Sequence, residues 1–218
     1  MAGVTLDSGR VGANADRVRA EIAAAARRAG RDPAGVELLA AVKSVDAEDL
    51  GALAAAGITL LGENRGQQLE AKRAATGDRF RWHFIGQLQS RKVRQIVPLV
   101  ELIHSVASDS ALRQLERHAP PETEVLVEVN VAGEEGKAGI APAELEGFVA
   151  RCPVTVVGLM TMPPFAADPE QSRPHFAALR ELAAAHGLRH LSMGTSQDFP
   201  VAVEEGATIV RIGSVLFS

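Results

Sequence analysis

Two stretches carry residues that could do chemistry together. Lys43 follows an apolar run over residues 36–42, broken only by Glu37 near its start, and precedes Ser44 and a helix start at Asp46. An amine at the exit of a buried strand sits where an apolar wall meets a cavity. Partial desolvation there disfavours the ammonium and leaves a nucleophile able to condense with an aldehyde. The alternative is a side chain that merely snorkels to solvent from a strand end. The second stretch lies near the end of the chain, in Ser192-Met193-Gly194-Thr195-Ser196 and Arg211-Ile212-Gly213-Ser214. Glycine lets a backbone approach a ligand closely, and hydroxyls and helix-start N–H groups bind oxyanions. Ser196 could instead be only a helix cap, with Asp198 favouring the helix start. A cap also leaves N–H groups free, so the two readings are compatible.

The elements that must position these residues follow a regular rhythm. Residues 1–10 carry no pattern and are expected to fray. A helix is predicted over 14–30, with Val18, Ile22, Ala25 and Ala26 on one face and Gly30 as its stop. Strand-like runs follow at 36–42, 58–61, 81–85, 99–104, 124–129, 154–159, 188–191 and 208–212. Helices are predicted between them, among them a polar one at 65–76, a basic one at 87–97 and a long one at 169–186. Several of the runs are almost continuously apolar, as in strands covered by helices on one face and a barrel core on the other. Alternating strands and helices imply a parallel sheet with right-handed crossovers. Eight such units predict an α/β fold, a closed (β/α)8 TIM barrel with an extra N-terminal helix, as one domain over residues 1–218. The competing architecture is an open, doubly wound sheet, because periodicity alone does not show closure.

In a parallel barrel the C-terminal ends of the strands form the functional face. This chain places there Lys43, Asn64, residues 83–86 with His83, then Ser105, Asn130, Met160, Gly194, Ser196, Arg211, Gly213 and Ser214. Loops after strands seven and eight of a barrel are the recurrent phosphate site. Closure would put Lys43, on strand one, beside them. One ligand with both a phosphate and an aldehyde would satisfy both groups, and pyridoxal 5′-phosphate (PLP) is such a molecule.

Composition narrows the rest. A net charge of −4 over 218 residues gives no electrostatic reason to expect nucleic acid or an anionic membrane as partner. Cys152 is the single cysteine, which precludes an intrachain disulfide and fits a reducing cytoplasm. The N-terminus has no apolar signal core and no run approaches a membrane span. Gly187 interrupts the i, i+4 pair His186 and His190, so no metal site is expected there. Glu128, two residues before Asn130, points the same way along its strand. If that way is inward it needs a partner, for which Lys137 or Lys43 could serve.

The motifs resemble the pyridoxal phosphate homeostasis protein family, whose barrel is similar to the N-terminal domain of alanine racemase. They run nearly end to end: Leu38-Leu39-Ala40 with Lys43; Gly62-Glu63-Asn64; Trp82-His83-Phe84-Ile85-Gly86 with Leu88-Gln89 and Lys92; Asn130 with Glu134, Lys137 and Gly139; Gly158-Leu159-Met160; Ser192-Met193-Gly194 with Ser196 and Asp198; and Val210-Arg211-Ile212-Gly213. The chain departs from the family pattern at Val42, Arg91 and Thr195. The resemblance implies that Lys43 is the internal aldimine lysine, that Ser196, Gly213 and Ser214 hold the phosphate, and that Arg211 faces the pyridine nitrogen. It also implies a monomer.

Three functions are then open: a carrier acting in intracellular PLP homeostasis, which buffers the cofactor or delivers it to PLP-dependent apoenzymes; a PLP-dependent amino-acid racemase-like enzyme; and a Schiff-base aldolase. A racemase needs a second base on the opposite face of the cofactor, which in the resembling racemases is a tyrosine from a second domain. This chain contains no tyrosine. His83 or Cys152 could substitute only if placed for it. An arginine at the pyridine nitrogen would also stay charged and weaken the ring as an electron sink. The aldolase reading has no support beyond lysine and phosphate loops. The expectation is therefore a PLP-binding protein that is not an enzyme.

Overall fold

Inward and outward residues of the strands belong to two different cores. The computed structural model describes residues 6–218. It contains eight parallel strands, β1 (Glu37–Ala41), β2 (Leu60–Glu63), β3 (Arg81–Phe84), β4 (Leu102–Val106), β5 (Glu124–Glu128), β6 (Thr155–Met160), β7 (His190–Thr195) and β8 (Ile209–Ile212). They pair in chain order, and β8 closes on β1 with Leu39 opposite Arg211. The barrel is thus closed, as the eight-unit rhythm predicts. Outward residues such as Ala40, Leu61, Trp82, Ile103 and Val125 join a large core under the helices. Inward residues Leu39, Leu60, Leu102, Leu126, Val157, Met160 and Ile209 form a separate apolar layer inside the barrel.

That inner layer is apolar for one level only. Side chains alternate along a strand, so the next inward residue lies two positions on. The step takes Leu102 to His104, Leu126 to Glu128 and Ile209 to Arg211. All three polar residues are buried. At the opposite, N-terminal end Arg81 donates to Glu37 at 2.7 Å and to Glu101 at 2.8 Å.

The helices are α1 (Ser8–Arg28), α2 (Leu50–Ala55), α3 (Gly66–Thr76), α4 (Val93–Ile96), α5 (Asp109–His118), α6 (Leu145–Ala150), α7 (Arg173–Ala185), α8 (Phe199–Glu204) and α9 (Ser214–Phe217). The α1 helix buries Val11, Ala15, Val18, Ile22, Ala25 and Ala26 and packs on α2, α8 and α9. It starts well before residue 14, capped by Asp7, whose carboxylate accepts from the Arg10 N–H at 2.7 Å. Gly9 and Gly12 mask this start in the sequence, because glycine lowers helix propensity without preventing a capped, packed helix. The expected fraying over 1–10 is thereby corrected from residue 6 on, and residues 1–5 lie outside the described residues.

Further boundaries differ from the prediction: strand four begins at Leu102 rather than 99 and includes Ser105, and the helix predicted at 169–186 opens with a 3-10 turn over Pro169–Ser172. The basic helix at 87–97 is a 3-10 turn (Ser90–Lys92), the short α4, and a second 3-10 turn (Val97–Leu99) that contains Pro98. Strand seven runs later than 188–191, because its inward residues are polar and give no apolar signal. Ser192 and Gly194 therefore lie in β7 itself, not in the loop after it.

Candidate functional site

The polar level below the C-terminal mouth is a continuous hydrogen-bonded row. Arg211 on β8 donates from one Nη to Ser192 Oγ on β7 at 2.6 Å, and from the other to the Thr161 carbonyl at 2.9 Å. Ser192 Oγ lies 2.8 Å from His104 Nδ1 on β4, and His104 Nε2 lies 3.0 Å from His83 Nδ1 on β3. Arg211 offers five N–H donors, and two of them are spent on these acceptors. Burial pushes Arg211 down to about 10, opposed by Glu128 and Asp198, so it stays a cation at neutral pH. Burial pushes His83 down to about 3, with Arg81 and His190 adding to the effect. His104 lies well below its ordinary value from burial, then from His83 and Arg211. Two neutral imidazoles thus stand beside one guanidinium. Burial raises Glu128, and the cation that counters this is Arg211 rather than Lys137 or Lys43.

Lys43 stands above this level, one residue past the buried Val42. Its side chain is exposed, and the expected enclosure by an apolar wall is corrected on this point. What fixes it is the backbone before it. The Val42 N–H donates to the Gly62 carbonyl at 2.9 Å. The Val42 carbonyl accepts from Lys72 Nζ at 2.7 Å. Lys72, on α3, also pairs with Glu63 at 2.5 Å, and both side chains are buried. The other Glu63 oxygen accepts from the Asn64 and Arg65 N–H groups at 2.7 and 3.2 Å. One buried ion pair therefore ties the exit of β1 to the exit of β2.

The β7 and β8 exits meet through Ser196, whose Oγ accepts from the Gly213 N–H at 3.1 Å. Ser196 is not a helix cap: α8 begins only at Phe199, with Asp198 before it. The Asp198 carboxylate instead accepts from the Thr195 N–H at 2.7 Å and from Ser172 Oγ at 3.0 Å, bracing this turn. Gly194, at φ +90°, serves packing: an added Cβ would lie 2.6 Å from Ala202 Cβ and 2.9 Å from Phe199 Cα. Gly213 is beside Ala41 with no tighter neighbour than 3.5 Å, and Ser214 is exposed.

The other predicted residues are placed as follows. His83 lies inside the barrel in the polar row, and Met160 in the apolar layer. The Ser105 hydroxyl donates to the Gly86 carbonyl, so it joins β3 and β4 exits. The Asn130 side chain donates to the Glu134 carbonyl at 2.8 Å and accepts its N–H at 3.2 Å, clasping the following loop. Asn64 is at the rim, and its side-chain oxygen is buried with no partner. The structure thus groups Lys43, Ser196, Arg211, Gly213 and Ser214 at the β7–β8–β1 side of the mouth. Neither His104 nor Lys72 is among the predicted site residues, and the sequence places Ser192 and Glu63 in motifs without giving either a role. The period-two step from Leu102 to His104 is the signal that points inward. Nothing local marks Lys72 within a helix of Gln, Glu, Lys and Arg. Among the described residues no group of His, Cys, Asp and Glu could hold a metal, and no helix is long and apolar enough to cross a membrane.

The mouth therefore offers an exposed amine, the hydroxyls of Ser196 and Ser214, and a buried guanidinium with unspent donors. Comparison with known proteins adds that residues 13–218 match the family model for the alanine racemase N-terminal domain. A pyridoxal phosphate homeostasis protein from Aquifex aeolicus is 43% identical over 215 residues, covering 92% of this chain and 94% of that one. Among solved structures, PipY from Synechococcus elongatus with PLP bound superposes with a TM-score of 0.77 at 34% identity, over 92% of this chain and 100% of that one. An unknown protein from Bifidobacterium adolescentis superposes with a TM-score of 0.87 at 34% identity, over 96% of this chain and 95% of that one.

Proposed function

Because the chain belongs to the alanine racemase N-terminal domain family and, within it, to the pyridoxal phosphate homeostasis proteins, we propose that it holds PLP at the barrel mouth and does not turn over a substrate. The observation that carries this reading is the buried Arg211, a cation held by two acceptors with donors to spare, between an exposed amine on β1 and the hydroxyl-lined β7–β8 exits. The residues present fit the cofactor. When bound, PLP supplies an aldehyde for a lysine Schiff base. Lys43 is the amine, Ser196, Ser214 and the backbone around Gly213 receive the phosphate, and Arg211 donates toward the ring nitrogen. Asn64 borders the same mouth with an unsatisfied oxygen.

The reading as a carrier, not an enzyme, rests on what the chain lacks as a second base. It has no tyrosine. Both nitrogens of His104 are engaged, and His83 and His104 are buried and hold each other. Lys43 is exposed, so water is not excluded at the amine. We place the protein in the cytoplasm, as one barrel domain acting as a monomer, with PLP-dependent apoenzymes as recipients of the cofactor.

The test is borohydride reduction after incubation with PLP, followed by peptide mapping. The cofactor is expected on the peptide containing Lys43, and K43A should lose the covalent adduct while keeping its fold. Label on Lys92 or Lys137 instead would overturn the assignment. In deuterated water, α-proton exchange of amino acids well above a free-PLP control, lost in K43A, would turn the carrier into an enzyme.

A further inference from the structure

The row Arg211–Ser192–His104–His83 has a direction that can be deduced. A guanidinium can only donate, so Ser192 Oγ accepts from Arg211. Ser192 is fully buried, and its hydroxyl has only one other neighbour in the row, His104 Nδ1 at 2.8 Å. If His104 carried its proton on Nδ1, the Ser192 hydroxyl would be left as a buried donor without an acceptor, which costs a full desolvation penalty. With Ser192 donating, His104 Nδ1 is an acceptor. A neutral imidazole carries its one proton on the other nitrogen, so His104 Nε2 donates to His83 Nδ1 across 3.0 Å. His83 then also carries its proton on Nε2. This order leaves neither Ser192 nor His104 with a donor that lacks an acceptor in the row.

We propose that His104 is a positioning residue for Arg211, acting through Ser192 in a one-way chain, Arg211 to Ser192 to His104 to His83, with both imidazoles protonated at Nε2. The consequence is at Arg211. The Ser192 lone pair that anchors one Nη is available because the hydroxyl proton is committed to His104. The Thr161 carbonyl anchors the other Nη at 2.9 Å. The guanidinium plane is thereby fixed by two anchors, and its remaining donors are left for an acceptor atom of whatever occupies the mouth. The ligand half of this inference rests on the function proposed above, where that acceptor is the ring nitrogen of PLP. The chain itself is a property of the protein without ligand.

The first arm of the test uses the ligand-free protein labelled with 15N-histidine. Long-range proton–nitrogen spectra are expected to show His83 and His104 both neutral and both protonated at Nε2. A proton on Nδ1, or an imidazolium at neutral pH, at either position would overturn the chain. The second arm compares PLP with its 1-deaza analogue, in which CH replaces the ring nitrogen. H104L removes the acceptor for Ser192 and should weaken PLP about tenfold, the size of one charge-assisted hydrogen bond disturbed. The deaza analogue should change less than about twofold, since it never used that bond. H104N keeps an oxygen near the position of Nδ1 and should restore PLP binding to within about twofold. Equal losses of both ligands in H104L would mean that His104 only packs the barrel, and the positioning role would be gone. Should H104L fail to fold, S192A breaks the same link with a smaller change and carries the same comparison. A wild-type protein that takes up no PLP would sink the proposed function, and the tautomers, read without ligand, would still decide the chain.

Discussion

Ser196 has one duty the structure makes plain and one that only a ligand would reveal. Its oxygen accepts the Gly213 N–H and so joins the β7 and β8 exits, while its own proton is free to donate. S196A should weaken PLP by about 1–3 kcal/mol, the range for a hydrogen bond to a charged group plus an orphaned N–H. Pyridoxal, which lacks the phosphate, should lose much less. Titration of both ligands checks this, and equal losses would reduce Ser196 to its structural duty. At this scale the sequence is legible where a residue breaks its surroundings. Lys43 does so after an apolar run, and Arg211 does so inside a strand of Ile and Val. It is illegible where the environment decides. Lys43 is exposed rather than walled in, and Gly194 makes room for α8. Both depend on distant elements that no local pattern encodes.

The α3 helix matters through a single side chain. Lys72 reaches under the sheet to the Val42 carbonyl and to Glu63, fixing the backbone that carries Lys43 and the amides that begin the next loop. Removing one partner of a buried pair leaves the other charged and alone, a loss of about 3–5 kcal/mol. K72M should cost that much in urea-induced unfolding and should also slow borohydride-fixed labelling of Lys43. The double variant K72M/E63Q should recover part of the stability, since no unpaired charge is left. A K72M protein as stable as the parent would mean that the pair is replaceable. The sequence predicts α3 closely, at 65–76 against Gly66–Thr76, because strand-like runs bound a polar stretch of good helix formers on both sides. It misses the breaks around α4 and the late start of β7, where Pro98 and a polar inner face remove the periodic signal.

Closure of the barrel makes its interior a place where protons are refused. His83 is held down to about 3 and His104 well below its ordinary value by burial. Unfolded histidines bind a proton near pH 6.5. Below that value the unfolded chain takes up protons that the folded barrel does not, so stability rises with pH between about 3 and about 6.5 and is lost on acidification. With both rings titrating only when unfolded, the slope approaches roughly 2.7 kcal/mol per pH unit. Glu128, raised by burial, acts with the opposite sign above its ordinary value. Denaturant unfolding of the ligand-free protein at pH 7 and pH 5 should show the loss, and H104N should lose about one proton less. Equal stability at the two pH values would contradict neutral, buried rings. The barrel class itself is the most legible feature of the chain, since eight apolar runs in alternation with helices admit few topologies. Its closure is not, because the pairing of β8 with β1 joins residues some 170 positions apart, such as Glu37 and Ile209.

One buried ring turns this architecture into its own instrument. Trp82 is the single tryptophan of a chain with no tyrosine, and it lies fully buried in β3, next to His83 and facing the opposite way. Phe80 meets it edge-on at 6.3 Å, and its indole N–H has no hydrogen-bond partner. The near-ultraviolet emission of the protein therefore comes from one rigid, apolar site in the wall of the barrel. A chromophore seated at the mouth and absorbing where indole emits would drain that emission by energy transfer, so occupancy can be followed as quenching without any added label.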